Sequence, residues 1–168
     1  MIETARLLIK PLSAEQLKKY VDSADELAFE MGLKPSPVVM DENVKNAIRN
    51  DLLPTIHDKN KDPLFYTMWL IIEKKSGTII GGICFHGEPD DKGEVEIGYG
   101  IDEPYQNNGY MSETISGFTQ WIFENKKAKI IKAETECDNL SSIRVLEKNG
   151  FKITEQTDRS LIFGINEF

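Results

Sequence analysis

The fold of this chain is decided by one stretch of its sequence, Glu94-Val95-Glu96-Ile97-Gly98-Tyr99-Gly100-Ile101-Asp102-Glu103-Pro104-Tyr105-Gln106-Asn107-Asn108-Gly109-Tyr110-Met111. Alternating apolar residues predict a strand, which leads through a short polar loop into a long amphipathic helix, expected from Gly109 to Asn125. The first turn of such a helix has N–H groups without partners and carries the positive end of the helix dipole. The stretch therefore predicts a phosphate or pyrophosphate site.

The predicted anion site would act mainly through backbone groups, because no Lys or Arg lies between Gln106 and Met111. Gly109 lets the backbone approach a ligand closely. An ordinary strand-to-helix turn with Gly at its tip fits the same residues, and the loop alone leaves this alternative open. The candidate ligand-binding residues are Gln106, Asn107, Asn108, Gly109, Tyr110 and Met111.

A second informative segment follows the next predicted strand, Ile130–Thr135. It reads Asp138-Asn139-Leu140-Ser141-Ser142-Ile143-Arg144-Val145-Leu146-Glu147-Lys148-Asn149-Gly150-Phe151. Asp138 or Asn139 can start a helix, and Asn149-Gly150 is a normal helix stop. Helix capping is an open alternative to a functional role for Ser141 and Ser142.

Together the two segments resemble the GNAT superfamily of N-acetyltransferases. The family pattern is Gln/Arg-x-x-Gly-x-Gly/Ala, then Asn-x-x-Ser/Ala, then Gly-Phe at the end of the last helix. The matching residues, in family order, are Gln106-x-x-Gly109, Asn139-x-x-Ser142 and Gly150-Phe151. Gly109-Tyr110-Met111-x-Glu113 and the opening Glu3–Ile9 resemble the RimJ/RimL-like branch. The resemblance spans nearly the whole chain and is specific for fold and cofactor, not for the acceptor.

The resemblance implies acetyl-coenzyme A as co-substrate, an amine as acceptor, and a splayed, mostly antiparallel sheet flanked by helices. Two strands, ending near Ile101 and Thr135, would part into a V that holds the pantetheine arm. The arm would pair with the backbone of Gly100 and Ile101, and Asn139 would reach toward it. Glycines at 98 and 100 would leave room for the arm, although a strand bulge also explains them.

The chain departs from the family at Leu146, where many members carry a Tyr that protonates the departing thiolate. Ser142 is the substitute proton donor that we predict. Glu96 is the predicted base because its strand leads into the cofactor loop, with Glu94 and His86 as alternatives. A coenzyme-A-binding module with little turnover is the alternative to an active enzyme.

The remaining sequence predicts a single domain, residues 1–168, with element order β-α-α-β-β-β-α-β-α-β-β, a mixed α/β sandwich. The first strand is expected at Arg6–Lys10, and Ser13 can cap the first helix. Asp41 can cap a second helix that reaches Leu52. Three strands of an antiparallel meander follow, at Phe65–Glu73, Thr78–His86 and Glu94–Ile101, and two strands near Phe151–Thr154 and Ser160–Ile165 close the sheet.

Composition narrows the functional classes. The net charge of −8 argues against nucleic-acid binding and favours a cationic partner. No apolar run approaches a membrane span of roughly 18 residues, and the N-terminus lacks a signal-peptide pattern, so we expect a cytoplasmic protein without membrane attachment. Cys84 and Cys137 lack metal-type spacing, so no metal is expected. The oligomeric state stays open, with a homodimer as one option.

Overall fold

One eight-stranded sheet organises the computed structural model, which describes residues 1–167. Phe168, the last residue of the predicted domain, lies outside the described residues. The strands are β1 (Ile2–Glu3), β2 (Leu7–Pro11), β3 (Met68–Glu73), β4 (Thr78–Phe85), β5 (Glu94–Ile101), β6 (Ile130–Glu136), β7 (Lys152–Gln156) and β8 (Ser160–Asn166). Their order is β1-β2-β3-β4-β5-β6-β8-β7. Only the pair β5–β6 is parallel among these strands, which confirms the predicted mixed, mostly antiparallel sheet.

Helices cover both faces of the sheet. They are α1 (Ala14–Asp22), α2 (Ala24–Glu30), α3 (Glu42–Ala47), a π-helical turn (Ile48–Leu52), α4 (Leu53–Thr55), α5 (Tyr110–Glu124) and α6 (Leu140–Lys148). Strand β3 contributes side chains to the core on each face of the sheet. Trp69 and Ile71 pack in the core beneath α5 and α6. Leu70 and Ile72 pack in the core beneath α1 and the π-helical turn. Alternation along a strand sends successive side chains to opposite faces.

The segment before β3 differs from the prediction in four places. The short strand β1 was not expected; it precedes the strand predicted first and pairs with it, Ile2 opposite Ile9. Helix α2 was not expected, since it has only seven residues and Ser23 makes no side-chain cap, although Leu27 and Ala28 are buried on its inner face. The helix that Asp41 caps does not end as one α-helix at Leu52 but passes through the π-helical turn into α4. The strand expected from Phe65 begins at Met68, because Asp62 accepts a hydrogen bond from the Leu64 N–H at 3.0 Å and starts a 3-10 turn there.

Strands β5 and β6 part as the family resemblance predicts. They pair only from Glu94–Glu96 against Ile130–Lys132, so the β5 edge at Ile97–Ile101 has no β6 partner. The other edge of β5 pairs with β4 in unbroken register, from Phe85 opposite Ile97 to Gly81 opposite Ile101. The bulge considered for Gly98 and Gly100 is therefore absent from this pair, and register shifts lie between β3 and β4 and between β7 and β8 instead.

Candidate active site

The loop between β5 and α5 is folded by its own amide side chains. Gln106 Nε2 donates to the Ile101 carbonyl at 3.1 Å, and Asn108 Nδ2 donates to the Gln106 carbonyl at 2.9 Å. Asn107 and Gly109 adopt positive φ angles of 60° and 76°. Gly109 is the N-cap of α5 and provides no capping side chain. The first-turn N–H groups of α5 are thus left without a side-chain partner, which is the arrangement that an anion requires.

The loop is also held from outside, by the start of the chain. Arg6 donates from Nε to Glu113 Oε2 at 2.6 Å and from Nη1 to the Asn108 carbonyl at 2.9 Å. Glu113 Oε1 accepts from Thr4 Oγ1 at 2.6 Å. Burial opposes ionisation of Glu113, but the hydrogen bonds from Thr4 and Arg6 outweigh it and lower the pKa of this carboxyl. A first-turn carboxylate that would repel an anion is therefore neutralised by Arg6.

The side chains of two of the predicted loop residues contact other parts of the protein. Met111 is buried in the core beneath α5. The Tyr110 ring lies under the Arg6 guanidinium, 4.4 Å from ring centroid to Cζ. The buried Met111 therefore offers only its backbone to a ligand at the helix start, and the Tyr110 ring is already engaged by Arg6.

The start of α6 brings a second polar group to the gap between β5 and β6. Asn139 Oδ1 accepts from the Ser142 N–H at 3.1 Å, so the predicted ligand-binding Asn is also the helix cap. Ser142 Oγ lies 2.8 Å from Tyr99 Oη. Burial raises the pKa of Tyr99, and the hydrogen bond with Ser142 opposes that shift. Leu146 is fully buried in the core.

Tyr99 was missed by the sequence interpretation, although it lies in the stretch quoted first. Alternation along β5 could have placed it on the face opposite Glu96. Its meeting with Ser142 depends on how α6 packs over the gap, and no local pattern reports that packing.

The opposite face of β5 carries the glycines and the predicted base. A Cβ at Gly100 would meet nothing within 4 Å, so the strand is bare there. A Cβ at Gly98 would lie 2.5 Å from Nε2 of His86, so the imidazole covers that position. His86 Nδ1 is 2.8 Å from Glu96 Oε1. Glu96, the predicted base, therefore contacts His86, one of the two residues considered as alternative bases.

The other alternative base and the cysteines have different surroundings. Glu94 Oε2 is 2.6 Å from Lys132 Nζ on β6, and this bond raises the pKa of the lysine. Burial raises the pKa of the Cys84 thiol to about 11. Cys137 Sγ lies 3.9 Å from the Thr157 carbonyl. Glu94 thus ties β5 to β6 just before the strands part, and Cys84 is a protonated thiol at neutral pH.

A cavity of about 1310 Å³ opens on this face of β5, between the sheet and helices α1 to α3. Gly82, Gly98 and Gly100 form part of its floor, and Val38, Val39 and Val44 contribute apolar wall. Six carboxylates line it: Asp22, Asp25, Asp41, Asp51, Asp102 and Glu103. Lys45 is the one Lys or Arg among the described lining residues, and its Nζ is 2.6 Å from Glu42. The cavity is therefore suited to a cationic molecule.

Burial shifts the pKa of two groups in this cavity. It raises the pKa of Tyr20 to about 12, with a contribution from nearby Asp102. Burial also raises the pKa of Asp102, against a 2.6 Å hydrogen bond from Ser36 Oγ.

Among residues 1–167, no group of three or more His, Cys, Asp or Glu side chains is arranged to hold a metal ion. No helix in this range has the length and apolar character that crossing a membrane requires.

Comparisons with known proteins agree with this geometry. A family model described as "Acetyltransferase (GNAT) domain" matches residues 6–152. The chain is 32% identical over 99 residues to an uncharacterized N-acetyltransferase, YjdG of Bacillus subtilis, with 59% of each chain covered. It thus spans about three fifths of the length of that curated relative.

Two solved structures share the fold. One is the ribosomal-protein-S5-alanine acetyltransferase of Vibrio fischeri, with a TM-score of 0.68, 16% identity, and 98% of this chain and 94% of that chain covered. The other is RimL, a ribosomal L7/L12 α-N-protein acetyltransferase solved in complex with coenzyme A. Its TM-score is 0.64 at 15% identity, with 97% of this chain and 95% of that chain covered. The chain belongs to the GNAT acetyltransferase family, in its RimJ/RimL-like branch.

Proposed function

We propose that this protein transfers the acetyl group of acetyl-coenzyme A directly to a primary amine, either a protein N-terminus or a small-molecule amine. The observation that carries the proposal is the unpaired β5 edge at Ile97–Ile101. This edge joins the anion-binding loop at one end and opens into the acidic cavity on one face. A donor and an acceptor could therefore meet beside the same strand.

Acetyl-coenzyme A would bind along this edge as an added strand does. Its pyrophosphate would lie at the loop of Gln106–Met111, and its pantetheine arm would pair with the backbone of Gly100 and Ile101. Asn139 uses its side-chain oxygen to cap α6, which leaves its amide nitrogen for the arm. RimL of the same fold was solved with coenzyme A, which supports this assignment.

The acceptor would enter from the cavity as an ammonium ion, attracted by the surrounding carboxylates. A Lys-like amine has a pKa near about 10.4 and an α-amine near about 7.7–8.0, so a proton must leave before attack. Glu96 and His86 form the pair of titratable groups beside Gly98 that would take it up. No covalent enzyme intermediate is needed.

The departing thiolate would be protonated from the other side of the gap. Ser142 is the proposed donor. The Tyr99 hydroxyl contacts Ser142 and could return a proton to it after the transfer. The buried Leu146 favours the alternative of a coenzyme-A-binding module, because it cannot donate a proton. The paired hydroxyls at the same gap favour an enzyme. Two free cysteines accord with the proposed cytoplasmic location.

The test is thiol release from acetyl-coenzyme A over a panel of amines, with mass detection of the acetylated product. The panel should hold polyamines, amino sugars, aminoglycosides and peptides with free N-termini, each assayed with and without a chelator. Direct transfer predicts at least one acetylated amine and equal rates with chelator. Tight coenzyme A binding without any acetylated product would favour the binding module.

A further inference from the structure

His86 lines the cavity of about 1310 Å³ that is proposed to admit the acceptor, beside Gly98 and Gly100. Its backbone N–H donates to the Glu96 carbonyl at 2.9 Å, which pairs the two residues across β4 and β5. Its imidazole covers Gly98, where a Cβ would lie 2.5 Å from Nε2. Gly100 lies about 7 Å further along the strand, at roughly 3.4 Å per residue. The imidazole could therefore reach an amine bound over β5 between Gly98 and Gly100, either directly or through one water molecule.

The bond to Glu96 assigns the tautomer of this imidazole. An ionised carboxylate can only accept hydrogen bonds, so Nδ1 carries the proton in the 2.8 Å contact with Glu96 Oε1. Nε2 then holds the lone pair and is the basic nitrogen of the ring. A carboxylate on Nδ1 also stabilises the imidazolium that forms when Nε2 takes up a proton.

We propose that His86 is the general base of the reaction and that Glu96 is a positioning residue that fixes its tautomer and stabilises its protonated form. The proposal rests on the proposed amine acetyltransferase activity. The acceptor ammonium gives its proton to Nε2, and its freed lone pair attacks the thioester carbonyl. The C–N bond forms, the nitrogen releases its second proton to solvent, and the C–S bond breaks. The thiolate takes the hydroxyl proton of Ser142, which is replaced from solvent through Tyr99. The half-exposed imidazolium returns its proton to solvent.

The groups around His86 favour it over Glu96 as base. An imidazole changes charge between about pH 5 and 8, whereas carboxylates in general are weak bases at neutral pH. Cys84 on β4 is a neutral thiol, because burial raises its pKa to about 11. Glu88, in the loop after β4, is 3.7 Å from Lys61. Asp51 is a carboxylate that lines the same cavity.

The chain supplies a matched control, because it has two histidines and His57 is exposed in a loop. Rates are measured against pH for wild type, H86Q, E96Q, the double variant and H57Q, at saturating acetyl-coenzyme A. H86Q should lower the rate at neutral pH by about 10²–10⁴-fold, the range for general-base catalysis, and H57Q should match wild type. The H86Q defect should shrink as pH rises toward the pKa of the acceptor amine.

The behaviour of E96Q separates the two roles. The Gln amide oxygen can still accept from Nδ1–H, so E96Q should lose less activity than H86Q. The double variant should be no slower than H86Q alone, since Glu96 acts through His86. An E96Q defect equal to or larger than that of H86Q, or an H86Q profile parallel to wild type at every pH, overturns the assignment.

A measurement without turnover keeps the proposal independent of activity and of the fold of any His86 variant. Nitrogen NMR of ¹⁵N-histidine-labelled wild type, with H57Q to assign the two rings, should show His86 in the Nδ1–H form at alkaline pH. The Nε2–H form would overturn the proposal. Wild type that acetylates no amine refutes the proposed function instead, whatever the tautomer.

Discussion

Gly109 offers the sharpest test of the anion-binding loop. Its φ of 76° is left-handed, and a Cβ there would meet only Arg6 Nη2, at 3.5 Å. Gly109→Val therefore introduces backbone strain with little steric clash inside the protein. An L-residue in the left-handed region costs about 1–2 kcal/mol, and a β-branched residue is a genuine outlier there. If the variant loop relaxes to another conformation to avoid this strain, coenzyme A binding must return the loop to its strained conformation. The affinity for coenzyme A then falls about 5- to 30-fold.

The matched control is Gly77→Val, because Gly77 has a φ of 69° and open space around its Cβ position. Gly77 lies in the β3–β4 turn, away from the loop. Both variants should lower the melting temperature by about 2–8 °C, at about 2–4 °C per kcal/mol for a domain of this size. Isothermal calorimetry should show weaker coenzyme A binding for Gly109→Val alone. Equal affinities in the two variants would refute the phosphate-site assignment.

Three further predictions concern the other polar groups of the site. Asn139→Ala should lose about 1 kcal/mol of stability with the helix cap, and also coenzyme A affinity. Asn139→Asp should keep the cap and still lose affinity, so a variant with wild-type affinity would mark the residue as structural. Ser142→Ala and Tyr99→Phe should each lower kcat by up to about 10²-fold, the low end for general acid catalysis, because a thiolate leaves readily. Kinetics of the double variant should show no added loss; independent, multiplicative losses would contradict a shared proton path. Tyr20 has a folded-state pKa of about 12, raised by burial, so its stabilising contribution is complete below about pH 10 and is lost as pH rises to 12. Tyr20→Phe should remove this alkaline loss in denaturant titrations at pH 9 and 11, and equal slopes against pH would exclude Tyr20 as its source.

Local chemistry explains why much of the fold was predictable. Ser13 and Asp41 cap helices as expected, because a cap depends on residues only two or three positions away. The helix from Asn139 begins and ends where its cap and its Gly stop indicate. The strand boundary at Phe65 was wrong for a related reason, since the Asp62 turn competes with an apolar run that also suits a strand.

The sequence by itself determined the family, through Gln106-x-x-Gly109, Asn139-x-x-Ser142 and Gly150-Phe151 taken together, and the family resemblance implied the splayed sheet. Alternation in β5, Gly109 and the helix that starts there located the loop that is proposed to bind the anion. Alternation also placed Glu96 on the same face as Gly98 and Gly100, and the unbroken β4–β5 register kept that relation.

Only the tertiary structure decided how the chemical groups pair. Tyr99 and Ser142 are 43 positions apart, and Arg6 and Glu113 are 107 apart. The imidazole of His86 lies over Gly98 because two strands align in one register, and neither strand specifies that alignment alone. Contacts of this kind depend on helix packing and strand pairing across the whole sheet, which is why the sequence could nominate Glu96 and Ser142 but could not identify the partner of either.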